Sequence, residues 1–346
     1  MVKIVWNRIF LMLLSLGAIL AAREGGMYYT APRSALVTVN EQGRAWPFSD
    51  VNGRGLIRPL RQGQALHVEW QTRNNETRHH LEWNWQTDVP MPAVRVLPDG
   101  ALAALDVGGR LRVYDANGHL IRTRQLYPSH AYNSENICLL DVSENGRLLT
   151  VIWLAHTRET LLTLWSPAGE PITRQKYTDQ YLRQARLSPD GAYYGVALYN
   201  TAPFRFNSAV YNADGTRIIQ HPRRVRDFIF DSPRQQVALQ DTKSLTLFAL
   251  ITGVQEGVYA SATLINAVAP DNNGGWWLQA GNARRSARPG YPAWVYKGLS
   301  LCRIDRKGRE LSRQALSGST YYPSLISQKN KVWIGLEEGQ VVREAR

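Results

Sequence analysis

The side chains that could perform nucleophilic or metal-assisted chemistry form no catalytic pattern in this sequence. Nucleophilic catalysis needs a serine or cysteine held against a base, but there is no Gly-x-Ser-x-Gly segment, and neither Cys138 nor Cys302 lies in a known nucleophile motif. The seven histidines are scattered, at His67, His79, His80, His119, His130, His156 and His221. Adjacent strand residues such as His79 and His80 point to opposite faces, so they would not share one metal. We therefore predict no catalytic residue, no metal ligand and no cofactor.

Carboxylates are the other candidate catalytic groups. Cleavage of a glycosidic bond needs two carboxylates that converge on one site. Few acidic residues lie in predicted strands, and the candidates are Glu69, Glu82, Asp106 and Asp141. Their separation in space does not follow from their spacing in the sequence. A hydrolase or lyase acting on a polar substrate therefore stays open as the alternative to a binding protein.

Arginine and aromatic side chains are the more distinctive chemistry of the chain. Lys and Arg number 41 against 28 Asp and Glu, which gives a net charge of +13, and 11 Trp and 16 Tyr accompany them. Arg, Tyr and Trp dominate binding hot spots, and strong positive charge bears on the choice of partner rather than on the fold. The candidate partners are proteins, anionic lipid or another polyanion. We expect no nucleic-acid partner, because no nucleic-acid-binding motif appears.

A repeat of about 45 residues, the size of a propeller blade, organises most of the chain. A strand followed by a turn that ends in glycine recurs at residues 111–118, 162–169, 209–215, 245–253 and 301–308. A second turn precedes each of these units, at residues 98–100, 144–146, 189–191, 231–234 and 271–274. Asp-Gly and Asn-Gly turns between alternating strands are typical of β-hairpins, because glycine supplies the positive φ. Each unit is therefore predicted to be a four-stranded meander.

These repeats predict an all-β fold, a β-propeller of six or seven four-stranded blades, with seven slightly preferred. The propeller is predicted to span residues 27–346, with regular blades in residues 93–346 and an irregular N-terminal blade or closure strands in residues 34–92. The regular units are residues 93–127, 137–177, 184–221, 225–260 and 264–316, and a shorter unit at 322–346 lacks a clear fourth strand. N-terminal strands that pair with this last unit would remove an exposed edge and leave six blades.

In this repeat the sequence resembles WD40-like and quinoprotein-like bacterial β-propeller proteins. The Ser-Pro-Asp-Gly turn at residues 188–191 is similar to the turn of WD40-like propellers, and residues 245–253 are similar to a quinoprotein-type repeat. The resemblance covers most of residues 93–346 and implies the fold but no activity, since function lies in sites placed on a fold. The repeated Trp-docking pattern of quinone enzymes is absent, which argues against that cofactor.

The N-terminal segment indicates targeting out of the cytoplasm. Lys3 and Arg8 precede the apolar run at residues 9–22, which is the pattern of a secretory signal. No small-x-small cleavage motif follows, so residues 1–26 are predicted to be one apolar helix that is either a retained signal anchor or a cleaved signal peptide. Positive charge before such a helix orients the rest outward. We therefore expect the propeller in the periplasm or at the outer face of the cytoplasmic membrane.

Blade topology sorts the connecting segments into two faces. One face carries the short Asp/Gly turns, whose acidic side chains stabilise turns. The other is predicted to carry longer loops rich in arginine and aromatic residues, and such loops on a rigid scaffold commonly carry function. The candidate partner-binding residues are Tyr132, Arg158, Phe204, Arg205, Phe206, Arg223, Arg224, Arg226, Arg284, Arg285, Arg288, Tyr291, Tyr321 and Tyr322.

The sequence thus predicts a non-enzymatic binding or scaffold propeller that holds protein partners on its Arg/Tyr-rich face. Its expected role is that of a subunit or assembly factor of an envelope complex at the extracytoplasmic side of the membrane. The alternative is a propeller hydrolase or lyase that acts on a polar substrate at the central channel.

Overall fold

The fold is all β in the residues that the computed structural model describes. These are residues 38–39, 45–46, 55–62, 65–72, 78–84, 92–127, 135–286, 294–320, 323, 325–328, 331–335 and 341–343. Apart from one short 3-10 turn at Ser232–Arg234, their regular structure consists of β-strands. The predicted N-terminal helix lies outside them. None of the described segments forms an apolar helix of membrane-spanning length.

The N-terminal strands form a two-stranded sheet, β1–β2, and a three-stranded sheet, β3–β4–β5, both antiparallel. The strands are β1 (Thr38–Val39), β2 (Ala45–Trp46), β3 (Gly55–Gln62), β4 (Ala65–Thr72) and β5 (Arg78–Asn84). Leu66 lies opposite Trp83 in the β4–β5 pair.

The next 20 strands form five four-stranded antiparallel sheets, in each of which consecutive strands pair. The first two sheets hold β6 (Ala93–Val96), β7 (Leu102–Leu105), β8 (Arg110–Tyr114), β9 (Leu120–Gln125), β10 (Ile137–Val142), β11 (Leu148–Leu154), β12 (Glu159–Trp165) and β13 (Pro171–Thr178). The third and fourth hold β14 (Tyr181–Leu187), β15 (Tyr193–Thr201), β16 (Phe204–Asn212), β17 (Arg217–His221), β18 (Asp227–Asp231), β19 (Gln236–Gln240), β20 (Ser244–Ala249) and β21 (Gln255–Ala260). The fifth holds β22 (Leu264–Pro270), β23 (Trp276–Arg285), β24 (Trp294–Ile304) and β25 (Glu310–Ala315). The five repeats predicted between residues 93 and 316 are these five sheets.

The last sheet has three described strands, as the shorter final unit predicted. They are β26 (Leu325–Gln328), β27 (Lys331–Gly335) and β28 (Val341–Arg343). The number of blades, six or seven, stays a prediction, because it depends on how this sheet and the N-terminal strands complete the ring.

The hydrophobic core lies between successive sheets, as a propeller requires. Val151 and Leu164 of the β10–β13 sheet pack against Tyr194 and Leu198 of the β14–β17 sheet, and all four are buried. Further clusters join the sheets on either side in the same way. The first strands of the successive sheets, β3, β6, β10, β14, β18, β22 and β26, are neighbours in that order. Burial of one such large apolar side chain stabilises the fold by about 1.5–3 kcal/mol.

The turns between the first and second strands of successive sheets are linked by hydrogen bonds. Asn145 Nδ2 donates to Asp190 O at 2.8 Å, and Arg147 Nη1 donates to Gly191 O at 2.9 Å. Further along the ring, Tyr193 Oη donates to Gln235 Oε1 at 2.8 Å. These bonds join side chains about 45 residues from their partners, the repeat length of a blade. They fix the turns relative to one another.

Replacing Asn145 with alanine is expected to lower the free energy of unfolding by about 1 kcal/mol. The substitution removes the exposed bond to Asp190 and the bonds that Asn145 Oδ1 accepts from Ser143 Oγ and Arg147 N. Denaturant unfolding measures the change. The matched control is Asn117→Ala, in an exposed turn where the asparagine side chain hydrogen-bonds no other residue that the structure describes. Equal losses in the two variants would contradict a role for the bond between turns.

Candidate interaction face

The connecting segments lie on two faces of the ring. The turn face carries the first-to-second and third-to-fourth strand turns, among them residues 143–147, 188–192, 232–235 and 271–275. The linker face carries the second-to-third strand turns and the links between sheets. Its described segments include residues 155–158, 179–180, 202–203, 222–226 and 241–243.

Nine of the predicted partner-binding residues are described, and all nine lie in linker-face segments or at the linker-face ends of strands. They are Arg158, Phe204, Arg205, Phe206, Arg223, Arg224, Arg226, Arg284 and Arg285. The other five, Tyr132, Arg288, Tyr291, Tyr321 and Tyr322, lie outside the described residues.

The prediction that these residues occupy long loops is wrong for two of the segments. Phe204, Arg205 and Phe206 belong to β16, which is joined to β15 by the two residues 202–203 alone. Arg284 and Arg285 form the end of β23. Strand pairing continues further than expected between β15 and β16 because aromatic cross-strand pairs stabilise it, and Tyr199 lies opposite Phe206.

An aromatic row runs from the core to the tip of the β15–β16 hairpin. It consists of Trp153, Tyr181, Tyr199, Phe204 and Phe206. Successive ring centroids are 4.4 Å (Trp153 to Tyr181), 5.2 Å (Tyr181 to Tyr199), 6.0 Å (Tyr199 to Phe204) and 5.0 Å (Phe204 to Phe206) apart. Trp153 is buried, whereas Phe204 is 62% exposed. The row is a rigid apolar ridge with an open end.

A basic cluster lies beside the aromatic row, at the junction of the β14–β17 and β18–β21 sheets. It consists of Arg183, Arg223, Arg224 and Arg226. The pKa of the Arg183 guanidinium is lowered, first by burial and then by the positive charges of Arg224 and Arg226. Tyr199 and Asp241 act in the opposite direction and raise this pKa. Arg183 is thus close to Arg224 and Arg226 and also to Tyr199 of the aromatic row.

Asp241 is the carboxylate that neighbours this cluster. Its Oδ1 lies 3.5 Å from Arg224 Nε, and Arg226 N donates to Gln240 O at 2.7 Å, which brings the link against the β19–β20 turn. Burial first, and then Arg223, lower the pKa of His221, so its imidazole is neutral near pH 7. The cluster therefore has more guanidiniums than nearby carboxylates.

The remaining predicted arginines lie apart from the cluster. Arg158 Nε is 3.1 Å from Asp179 Oδ1, and both side chains are more than half exposed, so this ion pair is a surface feature. Arg284 and Arg285 belong to the β22–β25 sheet, where they lie opposite Val295 and Trp294 of the neighbouring strand β24.

The buried carboxylates of the described residues are engaged in structural bonds. Asp141 Oδ2 accepts from Leu187 N at 2.8 Å, and Asp141 Oδ1 lies 3.5 Å from Arg95 Nε. Asp231 and Asp271 each have an arginine within 3.0 Å, at Arg234 and Arg303. No group of three or more His, Cys, Asp or Glu in the described part of the chain could hold a metal ion.

Neither cysteine is an activated nucleophile. Both are free, and Cys302 is buried. Burial raises the pKa of the Cys138 thiol to about 11 and also raises that of Cys302. Both thiols therefore stay protonated near neutral pH, and the thiol is the less reactive form.

Comparison with known proteins shows the fold. No protein-family model matches the chain, and no curated protein sequence matches it. A chain in the crystal structure of a mitotic checkpoint complex is 10% identical with a TM-score of 0.56, over 90% of this chain and 86% of that chain. The Dos1 propeller is 11% identical with a TM-score of 0.56, over 89% of this chain and 80% of that one. BamB from Moraxella catarrhalis is 11% identical with a TM-score of 0.54, over 91% and 92%.

These similarities define the class of protein as a β-propeller. The predicted resemblance to WD40-like and quinoprotein-like propellers is confirmed at the level of the fold. Identities this low leave the function to be argued from the chain's own residues.

Proposed function

We propose that this propeller is a non-enzymatic binding scaffold that holds an acidic segment of a protein partner on its linker face. The observation that carries the proposal is the basic cluster, in which Arg223, Arg224 and Arg226 lie on one short link between β17 and β18 and Arg224 Nε is 3.5 Å from Asp241 Oδ1. Burial, and then the charges of Arg224 and Arg226, lower the pKa of Arg183 beside them. Guanidiniums bind carboxylates with two parallel hydrogen bonds, and these charge-assisted bonds are about twice as strong as neutral ones.

The cluster works against folding in the absence of a partner. Like charges that lie close together repel, and each arginine also loses hydration where it is partly buried. An arrangement that breaks a local rule of stability is typical of a functional site. An acidic partner would relieve the repulsion, so the same charges that weaken the free protein would strengthen the complex.

The aromatic row supplies an apolar anchor beside the charges. A large exposed ring that is held rigidly by its neighbours loses little conformational freedom on binding. Phe204 is such a ring, because it is exposed and packs against both Tyr199 and Phe206. Aromatic and arginine side chains together are the usual composition of a binding hot spot. This pairing favours a protein partner over a simple polyanion.

The proposed setting is an envelope complex at the outer face of the cytoplasmic membrane, in which the chain is a subunit or assembly factor. The basic and apolar N-terminal segment supports export. One of the similar structures is a chain of a mitotic checkpoint complex, which supports protein partners as a use of this fold.

The alternative, a hydrolase or lyase at the central channel, has less support. A general acid needs a carboxyl group free to exchange its proton with substrate. Asp141, Asp231 and Asp271 each lie within ion-pair distance of an arginine, which suits a structural role. The binding proposal needs no such group.

The proposal predicts which position on the propeller will cross-link to a partner. With Phe204 replaced by p-benzoylphenylalanine, illumination of cells should give a discrete protein adduct, because Phe204 stands at the open end of the aromatic row. The matched control carries the same photoreactive residue at Ile251, which is 75% exposed on the turn face. Mass spectrometry of the adduct identifies the partner.

The outcomes of this experiment separate the candidate partners. A protein adduct at position 204 that carries an acidic segment and disappears at high salt is the expected result, since exposed charge pairs are screened. Adducts to lipid alone would replace the protein partner with an anionic membrane surface. The same adduct from positions 204 and 251, or none from position 204, would remove the binding proposal for this face.

A further inference from the structure

A second candidate site lies on the opposite face of the ring, where the first-to-second strand turns of successive sheets surround a cavity of about 590 Å³. Residues from the turns after β10, β14, β18 and β22 line it, and Ser327 of β26 completes the wall. The turns are cross-linked by Asn145 to Asp190 and by Arg234 to the carbonyl of Asn272. The cavity walls are therefore already in place without a ligand.

The cavity is acidic although the protein as a whole is basic. Three carboxylates line it, those of Glu144, Asp190 and Asp231, against one guanidinium, that of Arg234. Arg234 is already paired with Asp231, with Nη1 3.0 Å from Oδ2. The Glu144 carboxylate makes no hydrogen bond or ion pair with any residue that the structure describes. The cavity therefore offers negative charge that is not used within the protein.

A residue of the same wall carries a buried hydroxyl that no other described residue satisfies. Ser232 lines the cavity, is 8% exposed, and has an Oγ without a hydrogen-bond partner among the described residues. A buried hydroxyl with no partner destabilises the folded protein. Such groups in native proteins call for an explanation, and a polar ligand is one.

The rest of the lining suits a cation on an aliphatic chain. Three prolines line the cavity with apolar rings, Pro189, Pro233 and Pro270. Because proline has no backbone N–H group, none of them places a hydrogen-bond donor of its own next to a bound cation. Phe230 adds a further apolar surface. A lysine side chain combines these needs, because its methylene stem packs on apolar surface while its ammonium donates three hydrogen bonds.

We propose that this cavity binds the side chain of a lysine from a second polypeptide. The ammonium group bonds to the Glu144 and Asp190 carboxylates and to Ser232, and the methylene stem lies on the proline rings. The three donors of a compact ammonium can turn toward acceptors that lie in different directions, whereas the donors of a guanidinium lie in one plane. The two faces of the ring would then bind segments of opposite charge.

Isothermal titration calorimetry of the full chain tests the proposal with a capped pentapeptide, acetyl-Gly-Ser-Lys-Ser-Gly-amide. Saturable binding is expected for this peptide and none for the same peptide with its lysine acetylated. Glu144→Gln should weaken binding about fivefold or more, the effect of one charge-assisted hydrogen bond. Glu170→Gln, an exposed glutamate in another turn, is the matched control and should leave the affinity unchanged.

A second variant separates a ligand-binding role of Ser232 from a structural one. Ser232→Ala should weaken the peptide severalfold without lowering Tm, because it removes a hydroxyl that has no partner in the free protein. Arg183→Glu with Arg226→Glu, on the linker face, should leave peptide binding intact, which distinguishes this site from the proposed partner site. Equal binding of the acetylated peptide, or equal effects of Glu144→Gln and Glu170→Gln, would overturn the proposal.

Discussion

Replacing Asp141 with asparagine is expected to lower the free energy of unfolding by about 3 kcal/mol, although the two side chains have the same shape. Asp141 is 2% exposed and stands where three sheets meet. Its Oδ2 accepts from Leu187 N of the following sheet at 2.8 Å, while its Oδ1 accepts from Val142 N at 3.0 Å and faces Arg95 of the preceding sheet. Both oxygens thus face donors, so an amide must turn its NH2 group toward one of them.

The loss has two sources, an unsatisfied donor and an uncompensated charge. Removing one partner of a buried ion pair strands the other, at a cost of about 3–5 kcal/mol when no other group compensates. Arg95 would keep its charge beside a neutral amide. Chemical denaturation of the variant should show an unchanged m-value with a lower midpoint, since the surface exposed on unfolding is the same.

Asp179→Asn is the matched control for this prediction. Asp179 pairs with Arg158 on the surface, with both side chains more than half exposed, and it has φ of +55°, which asparagine tolerates. Its replacement should cost at most about 1 kcal/mol. If the two variants lose equal stability, Asp141 does not hold the sheets together.

The regular part of the fold could be predicted because its determinants are local. A Gly-containing turn specifies a hairpin from a few adjacent residues, and Gly146 and Gly191 indeed have φ of +80° and +70°. A nearly continuous run of apolar residues between two such turns predicts a buried strand. β11 is an example, because every one of its residues is buried. Because the repeat places these signals in register, five sheets followed from the sequence.

The candidate site was only partly predictable because strand register and packing between sheets set it. Arg183 stands in a β-bulge between Leu182 and Gln184, and a bulge re-aims a side chain without leaving a sequence signal. Tyr181 and Tyr199 were missed as well, since their stacking depends on the register of β14 and β15. The arginines of residues 222–226 were found because composition alone marks them.

The cavity on the turn face was missed for the same reason. Each of two carboxylates of the cavity has a role within its own turn. Asp190 Oδ1 accepts a hydrogen bond from Ala192 N, and Asp231 pairs with Arg234. Their convergence with Glu144 on one cavity arises from the packing of successive sheets against one another, which no local pattern contains.

Reversing Arg183 and Arg226 to glutamate together is expected to weaken capture of the acidic partner by about 100-fold or more. Two attractive contacts become repulsive, and like charges placed opposite each other at an interface cost several kcal/mol. Tm should stay unchanged or rise, because the repulsion among Arg183, Arg224 and Arg226 is relieved in the free protein. If binding is lost while stability stays the same or rises, these charges serve the binding of a partner and not the stability of the fold.

The affinity is measured for the partner identified by cross-linking at position 204, at several salt concentrations. The matched control reverses Arg174 and Arg217, which are exposed on β13 and β17, so that the net charge of the protein changes equally. The affinity of the wild type and of the control for the partner should fall steeply as the salt concentration rises. The affinity of the Arg183/Arg226 variant should not, because it lacks the charge contacts that salt screens. If both double variants bind equally weakly, net charge rather than the basic cluster attracts the partner. If the cluster variant binds like wild type, the linker face does not recognise an acidic segment.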